Sequence, residues 1–587
     1  MNRIVSFTAR IMQVMLDVVA AVLGIYYSRK YAAIARRLGL PRVTSPNKPR
    51  GFVIIQVDGL AHSHLTAAMD LGYAPTMQRL LRWGEFALRH WQPGLPCTTP
   101  ASQAGIMFGS NEDIPAYRWY DKATGESIVC SVPRDIQAIQ ERISRGRKGI
   151  LAGGSSFMNM FDGDASLCMF TLGAWNRKRF FESVQGVGFL FLFLLNPYRT
   201  LKTMVLALWE YLTDLTQRTR ALIKHEMPRP LDRAFPFLRV MGNVVFREIQ
   251  TFAVMVDVYR GVPAIYTTYY GYDELAHNYG PLSKQALRAL HAIDARVRQI
   301  DALRRLSLTR EYDLYLLSDH GQTAASPFSQ IYGQTLGELA RDLVGGEVYV
   351  NETHGAERQG DPQVLFLKEE LATIEANVGP RLAYIPRKIR ELVSERLSLN
   401  GPPGSTDRAD PSAWDLPRRT DLVVRNSGSL SHIYFNVSPR RLDLSEIATL
   451  YPRFINDLAA HAGIWLVIGR EGEQVVVMSK DGVLSLEGGY HVEGNDPLAR
   501  LPAPWLAAEQ LQRLACFPHA GDLILMGDYV ADLGTVVCFE EHWGCHGGLG
   551  GPQETAFMIL DSAIGWDLNS VTQATQIYSL FVQRYQI

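Results

Sequence analysis

Short, almost wholly apolar runs alternate along this chain with longer stretches in which apolar residues return every three or four positions. Gly51–Val57 (GFVIIQV) is interrupted only by Gln56. β-Branched runs of this kind read as strands of a parallel sheet covered on both faces. The same reading applies to Ala264–Tyr269, Tyr312–Leu317 and residues 464–469, 522–526 and 556–560. Helical spacing fills the intervals. Residues 60–83 carry Met77, Leu80 and Leu81 ahead of a stop at Gly84, and residues 283–303 place Leu287, Leu290, Ile293, Val297 and Ile300 on one face. Strands alternating with helices predict a three-layer α/β/α sandwich with a mostly parallel central sheet and inserted cap regions.

Two stretches break the alternation. Residues 126–255 read as a helical insertion. They hold an apolar block at 187–195, closed by Asn196-Pro197, and a patterned helix over 198–223. The block is too short to span a bilayer and reads as a core or cap helix, or as a membrane-facing hairpin. Residues 345–420 are polar and rich in Pro, Gly and Arg, with the breaker Asn400-Gly401-Pro402-Pro403-Gly404 near their end, and read as an inserted loop or cap. The catalytic core then comprises 49–125, 256–344 and 421–587, preceded by an N-terminal helix and linker over 1–48.

That N-terminal segment has its own pattern. Residues 11–27 are largely apolar, but Arg3, Ser6, Arg10, Gln13 and Asp17 form a polar stripe opposite Ile4, Phe7, Ile11, Val14, Val18 and Val22. This suits a helix lying in a membrane interface or docked on protein. A signal peptide or a true span are the alternatives. In a span, five Lys/Arg in residues 29–42 against two before the segment would keep the C-terminal side cytoplasmic. The expected location is membrane-associated, peripherally or by one N-terminal anchor, with a cytoplasmic protein as the alternative.

Composition narrows the class. The 587 residues are 47% hydrophobic and 20% charged, with a formal net charge of zero. Balanced charge gives no support for specific nucleic-acid binding. Six scattered cysteines without CxxC spacing argue against a disulfide framework or a zinc knuckle.

Chemistry concentrates just after the predicted strands. Asp58 ends the first, where ligands of open α/β sheets bind. Asp273 and His277 stand four apart in Tyr272-Asp-Glu-Leu-Ala-His277, so over a helical turn they face one way and can share a metal. Asp319 and His320 follow the strand 313–318, and Gly321 permits the sharp turn two adjacent ligands would need. His546 precedes the strand at 556–560. Thr98 and Thr99, in Pro96-Cys-Thr-Thr-Pro100, lie at a helix start, where backbone N–H groups favour a phosphoryl group. Such a hydroxyl needs a base or a metal to become a nucleophile.

In this order, Asp, Thr, Asp-x-x-x-His, Asp-His-Gly and a late His-Gly resemble the alkaline phosphatase superfamily, in its type I phosphodiesterase and nucleotide pyrophosphatase branch. The resemblance implies a two-metal hydrolase acting on a small phosphate ester or anhydride, a diester or pyrophosphate in preference to a monoester, through a phosphothreonine intermediate. Asp58, Asp319 and His320, with the Thr98 oxygen, would hold one divalent ion, and Asp273, His277 and His546 the other. Zn²⁺ suits this donor set, with Mn²⁺ or Fe as alternatives. The family nucleophile sits two residues before a Pro, which selects Thr98 over Thr99. An Asn follows that Pro in many members; here the position is Ala101, with Ser102, Gln103 or Asn111 as candidate substitutes. Cys97 lacks the Cys-x-Pro-x-Arg setting of sulfatases and reads as a buried neighbour. No Lys or Arg stands near Thr98 to meet the extra charge of a monoester; Arg118 is a candidate for that role but reads as a surface residue. The remaining histidines receive no ligand role, though His432 and His519 lie near predicted strands and could line the cleft; Asp522 reads as a turn cap. The alternatives are a membrane-associated phosphomonoesterase or lipid head-group phosphotransferase, or an inactive scaffold with the same fold.

Overall fold

A computed structural model describes residues 50–175, 197–224, 240–305, 310–345, 348–352 and 420–587, with single positions at 375, 384, 387, 388 and 391. The N-terminal segment 11–27, the apolar block 187–195 and most of the inserted region 345–420 lie outside the described residues.

The predicted strands form the middle of a seven-stranded sheet. Gly51–Val57 lies between Ala264–Tyr269 and Tyr312–Leu317, parallel to both. Ala556–Asp561 adds antiparallel beyond Tyr312–Leu317, and Phe86–Trp91 closes that edge. The opposite edge is Ser155–Phe157 and Leu167–Met169, both parallel. These two come from within the predicted helical insertion. They are three residues long, SSF and LCM, the first largely polar and both too brief to show as apolar runs.

Side chains alternate between the faces of a strand, and each face meets its own helical layer. Val53, Ile55, Val57, Ile265, Leu314 and Leu316 pack with helices His62–Asp70, Pro75–Arg82, Arg247–Arg260 and Lys284–Arg305. Phe52, Ile54, Tyr266, Tyr315 and Leu317 pack with Thr99–Phe108, Pro133–Ile143 and Ala574–Tyr585. The architecture is the expected three-layer α/β/α sandwich.

The strands near 464–469 and 522–526 depart from expectation. Ile464–Glu471 and Leu523–Gly527 belong to a second sheet of eight strands, in which all but one pairing is antiparallel. It too is covered on both faces, with Leu466, Ile468 and Met526 on one side and Val467, Leu523 and Leu525 on the other. A strand buried on both faces reads as continuously apolar whatever its neighbours' direction, so the sequence pattern does not separate the sheets. The helix predicted over 198–223 is observed as Pro197–Lys224.

The second sheet also props the site. Its hairpin between Leu422–Ser427 and Leu430–Phe435 turns at Gly428, with φ +68°. A Cβ there would lie 1.9 Å from the carbonyl oxygen of His546. Gly428→Ala is therefore expected to cost on the order of 1–3 kcal/mol of stability, read as a lower denaturation midpoint, and to displace His546.

Candidate metal centre

Three adjacent parallel strands end level. Val57 pairs with Tyr269, and Gln56 with Leu317. The residues beyond those ends therefore share one rim of the sheet: Asp58, the helix Gly271–Tyr279 with Asp273 and His277, and Asp319-His320. Asp58, Asp319 and His320 are buried and offer one donor atom each within 4.8 Å of one another. Gly321 works differently from the expectation. Its φ is not left-handed; instead a Cβ would lie 2.1 Å from the carbonyl oxygen of Pro552, so the requirement is close backbone approach.

His546 arrives by strand pairing. Thr323–Pro327 starts three residues after His320 and pairs antiparallel with Gly544–Cys545. The pairing stacks the rings of His320 and His546 with centroids 3.9 Å apart. Asp273, His320 and His546 form the second group with donor atoms within 4.8 Å.

Each imidazole is oriented by a backbone carbonyl. Nδ1 of His277 donates to Gly544 O at 2.7 Å, Nδ1 of His320 to Gly321 O at 2.8 Å, and Nδ1 of His546 to Cys97 O at 2.8 Å. A carbonyl can only accept, so Nδ1 carries the proton and Nε2 is left as the coordinating atom, as in metal-ligating histidines. Asp319 Oδ2 is buried with no hydrogen-bond donor in the protein. Carboxylate and imidazole donors converging on a buried point fit divalent cations of the zinc type.

The second predicted set differs in one member. His277 lies beside Asp273, but its Nε2 is turned onto Asp273 Oδ2 at 3.2 Å, and His320 takes its place in the close group. Burial acts to lower the His277 pKa, but the Asp273 carboxylate outweighs it and holds the ring at about 9. Ligation by His277 thus requires loss of that proton. Burial acts to raise Asp273, while His277 and the neighbouring histidines hold it well below the usual carboxylate range. Burial, then the Asp319 and Asp273 carboxylates, push Asp58 well up. Burial, then His320, push His546 well down.

The threonines separate at the helix start. Thr98 is the extended N-cap and Thr99 the first residue of helix Thr99–Phe108. The backbone changes conformation between them, so their side chains take different directions. Thr99 Oγ1 lies 3.2 Å from Asp58 Oδ1, to which it donates, and 3.1 Å from His320 Nε2. Thr98 Oγ1 is buried without a hydrogen-bond partner. The hydroxyl hydrogen-bonded into the first cluster is thus that of Thr99, while that of Thr98, the expected nucleophile, makes no hydrogen bond in the protein.

Other expectations resolve individually. Gln103 is tied to Gln56, Thr268 and the Met160 amide, and Asn111 accepts from Arg513, whereas the buried Ser102 hydroxyl has no partner in the protein. Cys97 is buried, as expected. Arg118 is not a surface residue: Nη1 pairs with the buried Glu540 at 2.7 Å, and Glu540 in turn accepts from the Gly428 amide. His432 joins Pro115 O and the Gly521 amide, and His519 pairs with Asp113, so neither lines the centre. Asp522 does not cap its own turn: it accepts from the remote amides of Phe435 and Leu442 and pairs with Lys122 Nζ at 2.9 Å. Two neighbours carried no sequence signal. Gln322 Nε2 donates to the Asp273 carboxylate. The His542 ring lies 4.5 Å from that of His277, where burial, then the His277 charge, bring its pKa to about 3.

The model of the family described as type I phosphodiesterase / nucleotide pyrophosphatase matches residues 52–434, well over half of the chain. Asp58, Thr99, Asp273, His277, Asp319 and His320 fall inside that range, and His546 beyond it. Human ectonucleotide pyrophosphatase/phosphodiesterase family member 1 is 39% identical over 72 residues, which cover 12% of this chain and 8% of that protein. Phosphonoacetate hydrolase from Sinorhizobium meliloti 1021, in complex with phosphonoformate, is 14% identical with a TM-score of 0.42, over 93% of this chain and 99% of that one. Murine ectonucleotide pyrophosphatase/phosphodiesterase 5 is 10% identical with a TM-score of 0.44, over 92% of this chain and 95% of that one. By the family match over most of its core, together with the sandwich fold and the rim of carboxylates and histidines, the chain belongs to the type I phosphodiesterase/nucleotide pyrophosphatase family.

Proposed function

We propose that the chain hydrolyses phosphodiester or pyrophosphate bonds in two steps through a phosphothreonine at Thr99. The observation that carries this reading is the Thr99 hydroxyl, within 3.2 Å of both Asp58 and His320 donor atoms at the sheet rim. Asp58, Asp319 and His320 would hold one divalent ion. Asp273 and His546, with His320 or a deprotonated His277, would hold the other. Such ions, when bound, lower the pKa of a hydroxyl or a water and stabilise charge on phosphoryl and leaving oxygens.

The chain's own residues supply the rest. Thr99 Oγ1 loses its proton to solvent as it attacks phosphorus, the bond to the leaving oxygen breaks on the opposite side, and that oxygen departs as the alkoxide or phosphate anion, or takes up a proton from solvent. Water then attacks phosphorus, the bond to Thr99 breaks, and the hydroxyl regains a proton. Thr99 is the first residue of its helix, so a phosphoryl group on its oxygen sits where backbone N–H groups lack intrahelical acceptors. Ser102 lies one turn on, on the same helical face, and its unpartnered hydroxyl supplies a donor to a phosphoryl oxygen in place of the missing Asn. Arg118 is engaged by Glu540, which favours a diester or pyrophosphate over a monoester with its extra charge.

Thr99→Ala is expected to lower turnover of a soluble diester by about three orders of magnitude or more, while Thr98→Ala stays within roughly tenfold of the parent. The reverse result would return the nucleophile to Thr98. Metal-stripped protein should take up two equivalents of zinc by mass spectrometry of the bound metal. His320→Ala, which removes a donor from both clusters, should lose both; His546→Ala should retain one. Full activity after exhaustive chelation would sink the metal assignment.

A further inference from the structure

The helix Pro197–Lys224 is polar on its inner side and apolar on its outer side. Arg199, Thr203 and Asp214 are buried. The Arg199 guanidinium lies over the Phe252 ring, 5.0 Å from its centroid, and its Nη2 donates to Met255 Sδ. Lys202 Nζ lies 3.6 Å from Glu248 Oε2, and Glu248 is itself buried and paired with Arg296. The opposite face carries Leu201, Met204, Val205, Leu208, Trp209, Tyr211, Leu212 and Leu215, all exposed, with Leu201 at 63%, Leu208 at 60% and Trp209 at 70%. The spacing 201, 204, 205, 208, 212, 215 makes one stripe about 21 Å long, and no charged residue interrupts it. A helix on a water-soluble surface has the opposite arrangement.

We propose that this face docks on a lipid bilayer, with the helix lying along the membrane surface. Inward charges and outward aliphatic groups are the arrangement that hydrocarbon imposes, because ionised groups there turn to protein partners. Trp209 and Tyr211 at the side of a leucine stripe suit the boundary between headgroups and acyl chains. The sequence leading into the helix reads Val-Gly-Phe-Leu-Phe-Leu-Phe-Leu-Leu over residues 187–195, without a charged residue. The buried charged side of the helix, held by protein partners, makes the contact one of surface docking; among the described residues no helix is long and apolar enough to cross a membrane. Basic residues Arg218, Arg220 and Lys224 fill the last turns of the helix sequence, a composition that favours anionic lipid.

The test uses the full chain with vesicles of phosphatidylcholine, alone or mixed with phosphatidylserine. The parent is expected to co-sediment, more strongly with phosphatidylserine. Leu208→Glu/Leu212→Glu should weaken the partition by about tenfold or more with an unchanged melting midpoint. Trp209→Phe preserves the apolar face and serves as a second, conservative probe: it should bind as the parent does, but lose the tryptophan quenching that brominated lipid produces. The proposal is overturned if the parent stays in the supernatant, or if the double Glu variant binds as well as the parent, which would place the anchor elsewhere, as in residues 11–27. It is equally overturned if Trp209→Phe leaves the quenching intact, or if sedimentation velocity shows a dimer that the Glu substitutions dissociate without any effect on vesicles.

Discussion

Two buried carboxylates, Asp58 and Asp319, stand together at the rim of the main sheet, and burial, then the Asp319 and Asp273 carboxylates, disfavour the charged form of Asp58. Charges taken out of water are tolerated when they are paired or when they coordinate a cation. Much of the surrounding structure serves that requirement. Three imidazoles approach from three segments, each with Nδ1 donating to a carbonyl; Nε2 of His320 and of His546 is left for coordination, whereas that of His277 faces Asp273. The Gly59 amide reaches Asp319, and Gln56 reaches Asp58. Thr99 enters the same knot of donors, so binding of cations and placement of the hydroxyl are one geometric problem.

That knot is held by elements distant in sequence. The loop before Thr99 is tied to the last histidine through Cys97, whose amide donates to Gly547 O and whose carbonyl accepts from His546. Behind His546 stands the hairpin of the second sheet, fastened by Glu540 to both Arg118 and the Gly428 amide. The second sheet has its own core on both faces, and its contribution to the site is a rigid wall that fixes one loop. Such support matters because metal ligands lose affinity when their outer partners are disturbed.

The inverted helix connects to the same framework. It packs on the helical segment Met241–Phe246 and, through Arg199 and Lys202, on Arg247–Arg260, and Gln250 from the latter helix donates to Thr267 Oγ1 and Thr268 O. Those threonines lie in the strand whose end leads to Asp273 and His277. A buried polar interface of Arg199, Lys202, Glu248 and Arg296 therefore lies between the apolar outer face and the catalytic sheet. Burial acts to raise the pKa of Glu248, but its cationic neighbours hold it at about 2, so it stays ionised and the interface stays charged across neutral pH.

Apolar runs and their spacing were enough to read the parallel strands and the sandwich, because a strand covered on both faces must be apolar throughout. The order of acidic and histidine motifs was enough to name the family and to find the carboxylates and histidines that gather at the rim. Three things required the folded chain. Which sheet a buried strand joins depends on pairing partners, so 464–471 and 523–527 read like the others. Which threonine hydroxyl bonds Asp58 depends on a backbone turn between adjacent residues, so a count to the proline does not reveal that Thr99 makes that bond. Which histidine completes the second cluster depends on antiparallel pairing across more than two hundred residues, from Thr323 to Cys545, that stacks His546 on His320. Local chemistry is written in residue type and spacing, whereas direction and distance come only when backbone hydrogen bonds join segments remote in the chain.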